Sequence, residues 1–210
     1  MLSATKNSGV QQPLIEAGLH EAVCYAIVDV GTSHNDVFNK DQRKVVFIWE
    51  IPDSRIDIPE KGNLPRALSK HYTNSLQEKA NLRKDLVSWR TKEFTKEEED
   101  LFEFKRVLGA SCLLNIIHKE KRNGDMCAAI ENVLPLKGKK LTAENNLILY
   151  GIEEHGLSIP KNLPPWLIEE IKVSPEYQAI LNPPEAPQSD QPEMELQGET
   201  APDDGSELPF

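Results

Sequence analysis

The sequence predicts a mainly β domain that carries a helical insertion, an α+β arrangement. Two runs rich in β-branched and aromatic residues, at 20–30 and 43–51, are typical of strands, and two more runs, at 112–118 and 126–134, flank an Asn-Gly turn signal. Helical signals lie between the two pairs, over residues 75–108. This order predicts strands on both sides of a helical segment.

Composition divides the chain into three parts. Residues 1–13 are predicted to form a disordered arm, residues 14–182 one domain, and residues 183–210 a disordered tail with eight acidic residues, six prolines and no basic residue. The net charge of the chain is −10, but residues 1–182 alone carry only −2. The acidic average therefore does not exclude a nucleic-acid partner.

The patterning of the first strands sets their expected bounds. The run 20–30 is apolar and β-branched, and in 43–51 apolar residues recur at every second position. Pro52 is expected to end the second strand, because proline cannot donate a hydrogen bond to a neighbouring strand. Residues 53–65 are then predicted as a loop rich in proline and charge, and 67–73 as a further strand.

The helical insertion is expected to begin at Ser75, after which apolar residues recur at helical spacing as far as Trp89. Thr95 and Glu98 have the spacing of a capping box, in which each side chain bonds the backbone amide of the other residue. The second helix, which starts there, is expected to run to Leu108, where a glycine follows as its cap.

The second half of the domain is predicted to hold a β-hairpin and two short helices. Asn123 and Gly124 supply the positive φ angles that a tight hairpin turn requires. A helix is expected over 166–173, because proline is tolerated in the first turn of a helix. A second short helical turn is expected over 175–181.

Four or five short strands with one helical insertion suit a small closed or half-open barrel. The OB-fold is a five-stranded barrel of this kind, and its surface binds oligonucleotides. Periodicity alone also fits other small α+β domains. We expect an OB-fold-like five-stranded barrel followed by the acidic tail.

Several classes of protein are disfavoured. No apolar run reaches the roughly 18–20 residues of a membrane helix, and Met1–Gln12 lacks the apolar stretch of a signal peptide. Cys24, Cys112 and Cys127 form no C-x-x-C pair, which favours buried thiols in a reducing compartment. The common phosphate-loop, dinucleotide, nucleophile-elbow and zinc-protease motifs are not present. The sequence predicts no catalytic residue, no metal site and no cofactor, although a nuclease built on scattered carboxylates stays open.

Binding features are stronger than catalytic ones. Residues 61–92 carry a net charge of +6 and include Tyr72 and Trp89. Proteins that bind single strands combine cations that neutralise phosphates with rings on which bases stack, and we expect Lys121 and Arg122 to add cations from the hairpin turn. The alternative is an ordinary amphipathic helix with a solvated basic face. The predicted DNA-binding residues are Lys44, Trp49, Arg66, Lys70, Tyr72, Lys79, Arg83, Lys84, Trp89, Arg90, Lys121 and Arg122.

The last residues have the chemistry of a portable ligand. A proline-rich spacer leads to clustered acids, a proline and a terminal phenylalanine with a free α-carboxylate. An apolar pocket on a partner can take the ring, and basic side chains can hold the carboxylates. The alternative is a solubilising acidic end. The predicted partner-binding residues are Asp203, Asp204, Glu207, Leu208, Pro209 and Phe210.

This tip resembles that of bacterial single-stranded DNA-binding proteins, in which an acidic run precedes isoleucine or leucine and a terminal Pro-Phe. Gly205 and Ser206 depart from that pattern, because they interrupt the acids. The resemblance implies that the tip recruits replication, recombination and repair proteins.

The body resembles the single-stranded DNA-binding proteins of bacteriophages and related mobile elements over residues 20–140. This second resemblance implies an OB-fold and sequence-independent binding of single strands. The matching segments are Val45–Glu50, His71–Leu76, Leu82–Leu86, Ser88–Thr91, Phe94–Thr95, and Leu108–Gly109 leading to Cys112–Ile116.

The sequence therefore supports the hypothesis of a non-catalytic protein that coats and protects single-stranded DNA in phage or mobile-element replication and recombination. We expect it in the cytoplasm of a bacterial host, without membrane association. Two alternatives stay open: an adaptor or inhibitor whose acidic tail mimics DNA, and a recombination enzyme with unrecognised carboxylates. The oligomeric state, a homo-oligomer included, and the choice between DNA and RNA are also open.

Overall fold

A mainly β fold with short helices forms the described part of the chain, which confirms the predicted fold class at this level. The computed structural model describes residues 13–35, 39–60 and 62–183. The predicted arm, 1–13, and the predicted tail, 183–210, lie outside these residues except for Pro13 and Pro183. The elements are β1 (Gly18–Asn35), β2 (Lys40–Ile58), β3 (Gly62–Thr73), α1 (Asn81–Arg90), α2 (Lys96–Asp100), a 3-10 turn (Phe104–Arg106), β4 (Ser111–Glu120), β5 (Met126–Pro135), β6 (Ile148–Tyr150), α3 (Ile152–His155), α4 (Pro165–Lys172) and α5 (Pro175–Leu181).

The strands form one sheet in the order β3-β2-β1-β4-β5, and each neighbouring pair is antiparallel. β6 lies off this path and pairs in parallel with β1. β1 has two antiparallel partners, because Gly18–Val23 pairs with β4 and Val23–Asn35 pairs with β2. The sheet is therefore one continuous path whose two ends are β3 and β5.

One face of the sheet encloses the larger apolar core. Phe47 and Trp49 of β2 and Leu114 of β4 are buried there. α1 contributes Leu82 and Leu86, which are four residues apart and so lie on one side of the helix. Complete burial of side chains of this size stabilises the fold by about 1.5–3 kcal/mol each.

The opposite face of β1 and β2 packs against the C-terminal helices. Val28 of β1 and Val46 and Ile48 of β2 are buried together with Leu167 and Ile171 of α4. Between Val45 and Ile51, β2 is thus buried on both faces, which explains why this stretch is almost continuously apolar and does not show the expected alternation.

A close contact at Gly31 holds α5 against β1. Gly31 has a φ of 73°, and a Cβ at this position would lie 2.4 Å from the Cβ of Ser174. Only glycine fits such a contact at a positive φ. Ser174 also caps α5 by accepting a hydrogen bond from the Tyr177 amide at 3.3 Å, and Glu176 accepts one from the Thr32 amide at 2.9 Å.

The predicted end of the second strand is wrong. β2 continues through Pro52 to Ile58, and residues 53–65 belong mainly to an extended β2–β3 hairpin instead of a loop. The pairing of β2 with β3 is irregular between Ile51 and Arg55. Pro52 is tolerated because a missing amide does no harm at a break in the ladder.

The second predicted helix is shorter than expected. Its capping box is present, since the Thr95 hydroxyl accepts a hydrogen bond from the Glu98 amide at 3.2 Å. However, α2 ends at Asp100 and not at Leu108. Phe102 and Phe104 pack against the core, where the Phe104 ring meets the Phe47 ring edge-on at 5.5 Å. Burial of these two rings outweighs the helix propensity of the acidic run before them.

Candidate functional site

Three of the predicted DNA-binding cations are engaged within the fold. The first is Lys70 of β3, whose Nζ lies 2.6 Å from Asp85 Oδ2 on α1 and donates to the carbonyl of Glu131 on β5 at 2.8 Å. The Tyr72 hydroxyl donates to the same Asp85 oxygen at 2.7 Å. Burial, followed by the Asp85 carboxylate, raises the pKa of Tyr72 well above its usual value. Lys70 therefore joins three elements of the fold.

Arg83 and Arg90 of α1 are the other two. Arg83 forms an ion pair with Glu99, and its side chain is only 13% exposed. Arg90 lies 3.3 Å from Glu98, and its guanidinium carbon stands 4.4 Å from the centre of the Phe94 ring. A cation over a ring face is a stabilising contact. These arginines fasten the insertion to itself and have little surface left for a phosphate.

The three rings that were predicted to stack on bases lie in the core. Trp49, Tyr72 and Trp89 are 1%, 3% and 8% exposed. Trp49 packs against Trp89 with ring centres 6.2 Å apart, and Trp89 Nε1 donates to the Ser111 carbonyl at 2.8 Å. This burial contradicts the predicted stacking role, because a base needs an open ring face.

The other six predicted cations have no carboxylate partner within the part of the chain that the structure describes. They are Lys44, Arg66, Lys79, Lys84, Lys121 and Arg122. Lys79 and Lys84 are exposed near the start of α1, and Arg66 is half-buried on β3. These cations lie on several elements. The basic run at 61–92 therefore contains some cations that pair with carboxylates and others that have no carboxylate partner among the described residues.

The β4–β5 turn presents two unpaired cations side by side. The predicted hairpin is confirmed, and the Lys121 amide donates to the Asp125 carbonyl at 2.8 Å to close the turn. Gly124 has a positive φ of 85°, but Asn123, which was also expected to have one, does not, because five residues and not two connect the strands. Lys121 and Arg122 are both exposed. This arrangement exposes two positive charges on a short, well-defined turn.

The outer face of β2 and β3 carries a second polar group, which the sequence interpretation identified only in part. Lys44 Nζ donates to Gln42 Oε1 at 2.6 Å and to Thr73 Oγ1 at 2.9 Å. Burial lowers the pKa of Lys44. Further along the same face, His71 of β3 contacts the indole of Trp166 on α4, with ring centres 5.7 Å apart. Trp166 was not among the predicted site residues, yet it is 46% exposed.

A cleft of about 610 Å³ lies between β1, β2, the 102–105 segment and α3. Arg43 and Lys105 are the lysine and arginine residues in its lining, and Arg43 lies 2.6 Å from Asp29. The hydrogen bond to Asp29 raises the pKa of Arg43, and Glu153 also pairs with it. The charged side chains in the lining are mainly carboxylates, so the cleft is a poor site for an anion.

The described residues contain no group of three or more histidine, cysteine or acidic side chains that is placed to hold a metal ion. None of their helices is both long and apolar enough to cross a bilayer. The predicted partner-binding tip, from Asp203 to Phe210, lies outside these residues. No family model matches the sequence, and no curated protein is similar to it.

Proposed function

We propose that this chain is an OB-fold protein that binds single-stranded DNA without sequence preference and without catalysis. The observation that carries the proposal is the strand path together with the position of α1. An OB-fold is a partly open five-stranded Greek-key barrel, so the two ends of its strand path must come close to each other.

The two ends of the path, β3 and β5, are joined by side-chain contacts. Lys70 of β3 donates to the carbonyl of Glu131 on β5 at 2.8 Å, and Asp85 of α1 holds the same Lys70 at 2.6 Å. α1 follows β3 in the chain and contributes buried leucines beside Val133 of β5. A sheet whose ends meet around a helix in this way supports a partly open barrel.

The unpaired cations support a nucleic-acid surface on such a barrel. OB-folds bind oligonucleotides on the face of strands 2 and 3 and on the β1–β2 and β4–β5 turns. Lys44 lies on β2, and Lys121 and Arg122 lie on the β4–β5 turn. These positions suit contacts to phosphates, which supply affinity without reading sequence.

The biological role that we propose follows from the two resemblances. The protein coats and protects exposed single strands during phage or mobile-element replication and recombination. Its acidic tip, from Asp203 to Phe210, recruits partner proteins. The fold and the exposed cations supply the strand-binding part of this role, and the tip supplies the partner-binding part.

Titration of the full chain with labelled oligo-dT and with its duplex, at two salt concentrations, tests the proposal. We expect preference for oligo-dT and an affinity that falls steeply with salt, because each phosphate neutralised on a single strand adds about 0.7 to the slope of log K against log salt. Preference for the duplex, or affinity independent of salt, would overturn the proposal. Binding to neither would favour the adaptor hypothesis.

Incubation of the same labelled DNA with the chain and Mg²⁺ tests the enzymatic alternative. The proposal expects intact strands at the end of the incubation. Cleavage that depends on the metal would contradict the proposal that the chain is not an enzyme, whatever its affinity for DNA.

A further inference from the structure

Trp166 is the exposed aromatic side chain that lies over the outer face of β3. It is 46% exposed, whereas Trp49 and Trp89 are 1% and 8% exposed. Its indole is tilted against the His71 ring, with ring centres 5.7 Å apart and an interplanar angle of 40°. A tryptophan that rests against a neighbouring ring and is 46% exposed offers indole surface on which another ring can stack.

The rest of α4 holds this indole in place. Leu167 and Ile171, both fully buried, fasten the helix to the sheet. Trp166 and Glu170 are four residues apart and therefore neighbours on the helix surface. Glu170 Oε2 lies 3.1 Å from His71 Nε2, so helix and strand are linked on both sides of the imidazole. Trp166 thus stands on a helix that is anchored to the sheet by its neighbouring residues.

A cation lies on the same face of the sheet as His71, two residues along the strands. Lys44 pairs with Thr73, and Val46 pairs with His71, so the two strand positions are separated by two residues, or about 7 Å. An ammonium group has three hydrogens to donate. Lys44 uses two of them, on Gln42 and Thr73, and has no carboxylate partner among the residues described.

We propose that Trp166 is a stacking platform for an unpaired nucleobase, and that Lys44 binds a phosphate of the same strand. The inference rests on the proposed function and deepens it, because it names the ring that replaces the three buried ones. Stacking on an indole is open to every base, which agrees with binding that does not depend on sequence.

Both carboxylates of α4 have a nitrogen partner in the structure. Glu170 is engaged by His71 at 3.1 Å, and Glu169 lies 3.2 Å from Lys172 Nζ. Each acid is therefore held beside a nitrogen of its own.

The test compares two oligonucleotides of equal length on the full chain: oligo-dT and an abasic strand, which keeps the phosphates and lacks the bases. Trp166→Ala is expected to bind oligo-dT about tenfold more weakly and the abasic strand unchanged, because only the base uses the ring. Trp166→Phe keeps a ring and is expected to recover most of the loss. Lys44→Ala is expected to weaken both strands equally.

The matched control is Leu181→Ala on α5. Leu181 is 48% exposed, close to the value for Trp166, and it lies on a different helix. This variant should bind both strands like the unaltered chain. Intrinsic fluorescence gives a second readout: oligo-dT should quench the signal of the unaltered chain, and Trp166→Phe should abolish the quenching, because the other two indoles are buried.

The outcomes separate this inference from the function on which it rests. If the unaltered chain binds oligo-dT and Trp166→Ala binds it equally well with the quenching retained, the platform is wrong and the proposed function stands. A loss of affinity that is equal for the abasic strand would also overturn it, because the ring would then act on the fold or on the backbone. If the unaltered chain binds neither strand, both proposals fall.

Discussion

Two helical segments cover opposite faces of β2, and they differ in which side chains they leave available to a ligand. The insertion that contains α1 and α2 is basic at first in the sequence, but Arg83 and Arg90 are held by Glu99 and Glu98. The C-terminal segment from α3 to α5 carries several acids, yet it leaves the indole of Trp166 exposed. The insertion, whose sequence predicted DNA binding more strongly, is thus the segment in which these two arginines pair with acids of the same segment.

This contrast shows why a run of cations is weak evidence for a binding surface. An ion pair within the fold satisfies the same charge that a phosphate would satisfy, and the half-buried arginines of α1 also stack on phenylalanine rings. Lys121 and Arg122, by contrast, are only two residues, but they are exposed and unpaired among the described residues. Availability, and not the number of charges, decides which cations reach a ligand.

The largest expected effect tests whether Lys70, which pairs with Asp85 of the insertion, stabilises the fold and does not bind DNA. Lys70→Met should lower the free energy of unfolding by about 3 kcal/mol, because Asp85 is then left as a buried charge with only a hydroxyl beside it. The affinity of the folded protein for oligo-dT should stay within twofold. Urea unfolding and oligonucleotide titration measure the two quantities.

Two further variants complete this experiment. Lys79→Ala, an exposed cation without a carboxylate partner in the described chain, should change stability by less than about 0.5 kcal/mol. Adding Asp85→Asn to Lys70→Met should restore part of the lost stability, since it removes the unpaired charge. A Lys70→Met chain of normal stability that no longer binds DNA would show that Lys70 is a phosphate ligand after all.

The elements that the sequence predicts correctly are those fixed by neighbouring residues. The capping box at Thr95 and the turn at Gly124 depend on side chains within four positions of each other, and both are present. The elements that it misses depend on distant contacts. α2 ends at Asp100 because Phe104 packs on Phe47, and no local sequence pattern predicts that contact.

The site is harder to predict than the fold for the same reason. The partner of Lys70 on β5 is Glu131, which is 61 positions away in the sequence. No local sequence pattern predicts a contact between residues so far apart. One signal for Trp166 was available. Leu167 and Ile171 form the apolar side of α4, and Trp166 lies beside this side. Because two residues already form the buried side of this short helix, the adjacent tryptophan is a candidate for an exposed ring.

An intermediate effect tests the two exposed cations of the β4–β5 turn. Replacing Lys121 and Arg122 by alanine should reduce the slope of log K against log salt for oligo-dT by about 1.4, because two phosphate contacts are lost. The affinity at low salt should fall about tenfold or more, and the free energy of unfolding should not change. Titrations at four salt concentrations give the slope.

The matched control removes two equivalent charges at the other end of β4. Lys105 and Arg106 are also adjacent, exposed and without a carboxylate partner in the described chain. Their replacement by alanine should change the slope by much less. If both double variants lower the slope equally, binding follows the total charge of the protein, and the contrast between available and engaged cations fails.

The smallest expected effect concerns the attachment of the C-terminal segment to the sheet. Burial alone would raise the pKa of Glu176, but the hydrogen bonds that Thr32 donates to the carboxylate outweigh it and lower the pKa below its usual value. A carboxylate with a lowered pKa stabilises the fold fully above its unfolded pKa of about 4.3, and this contribution disappears as the pH falls through the folded value. Glu176→Gln should therefore cost about 1 kcal/mol at pH 7 and progressively less below pH 4, as measured by urea unfolding. An equal cost of Glu176→Gln at pH 7 and pH 3 would mean that the loss comes from the introduced amide and not from removal of the negative charge.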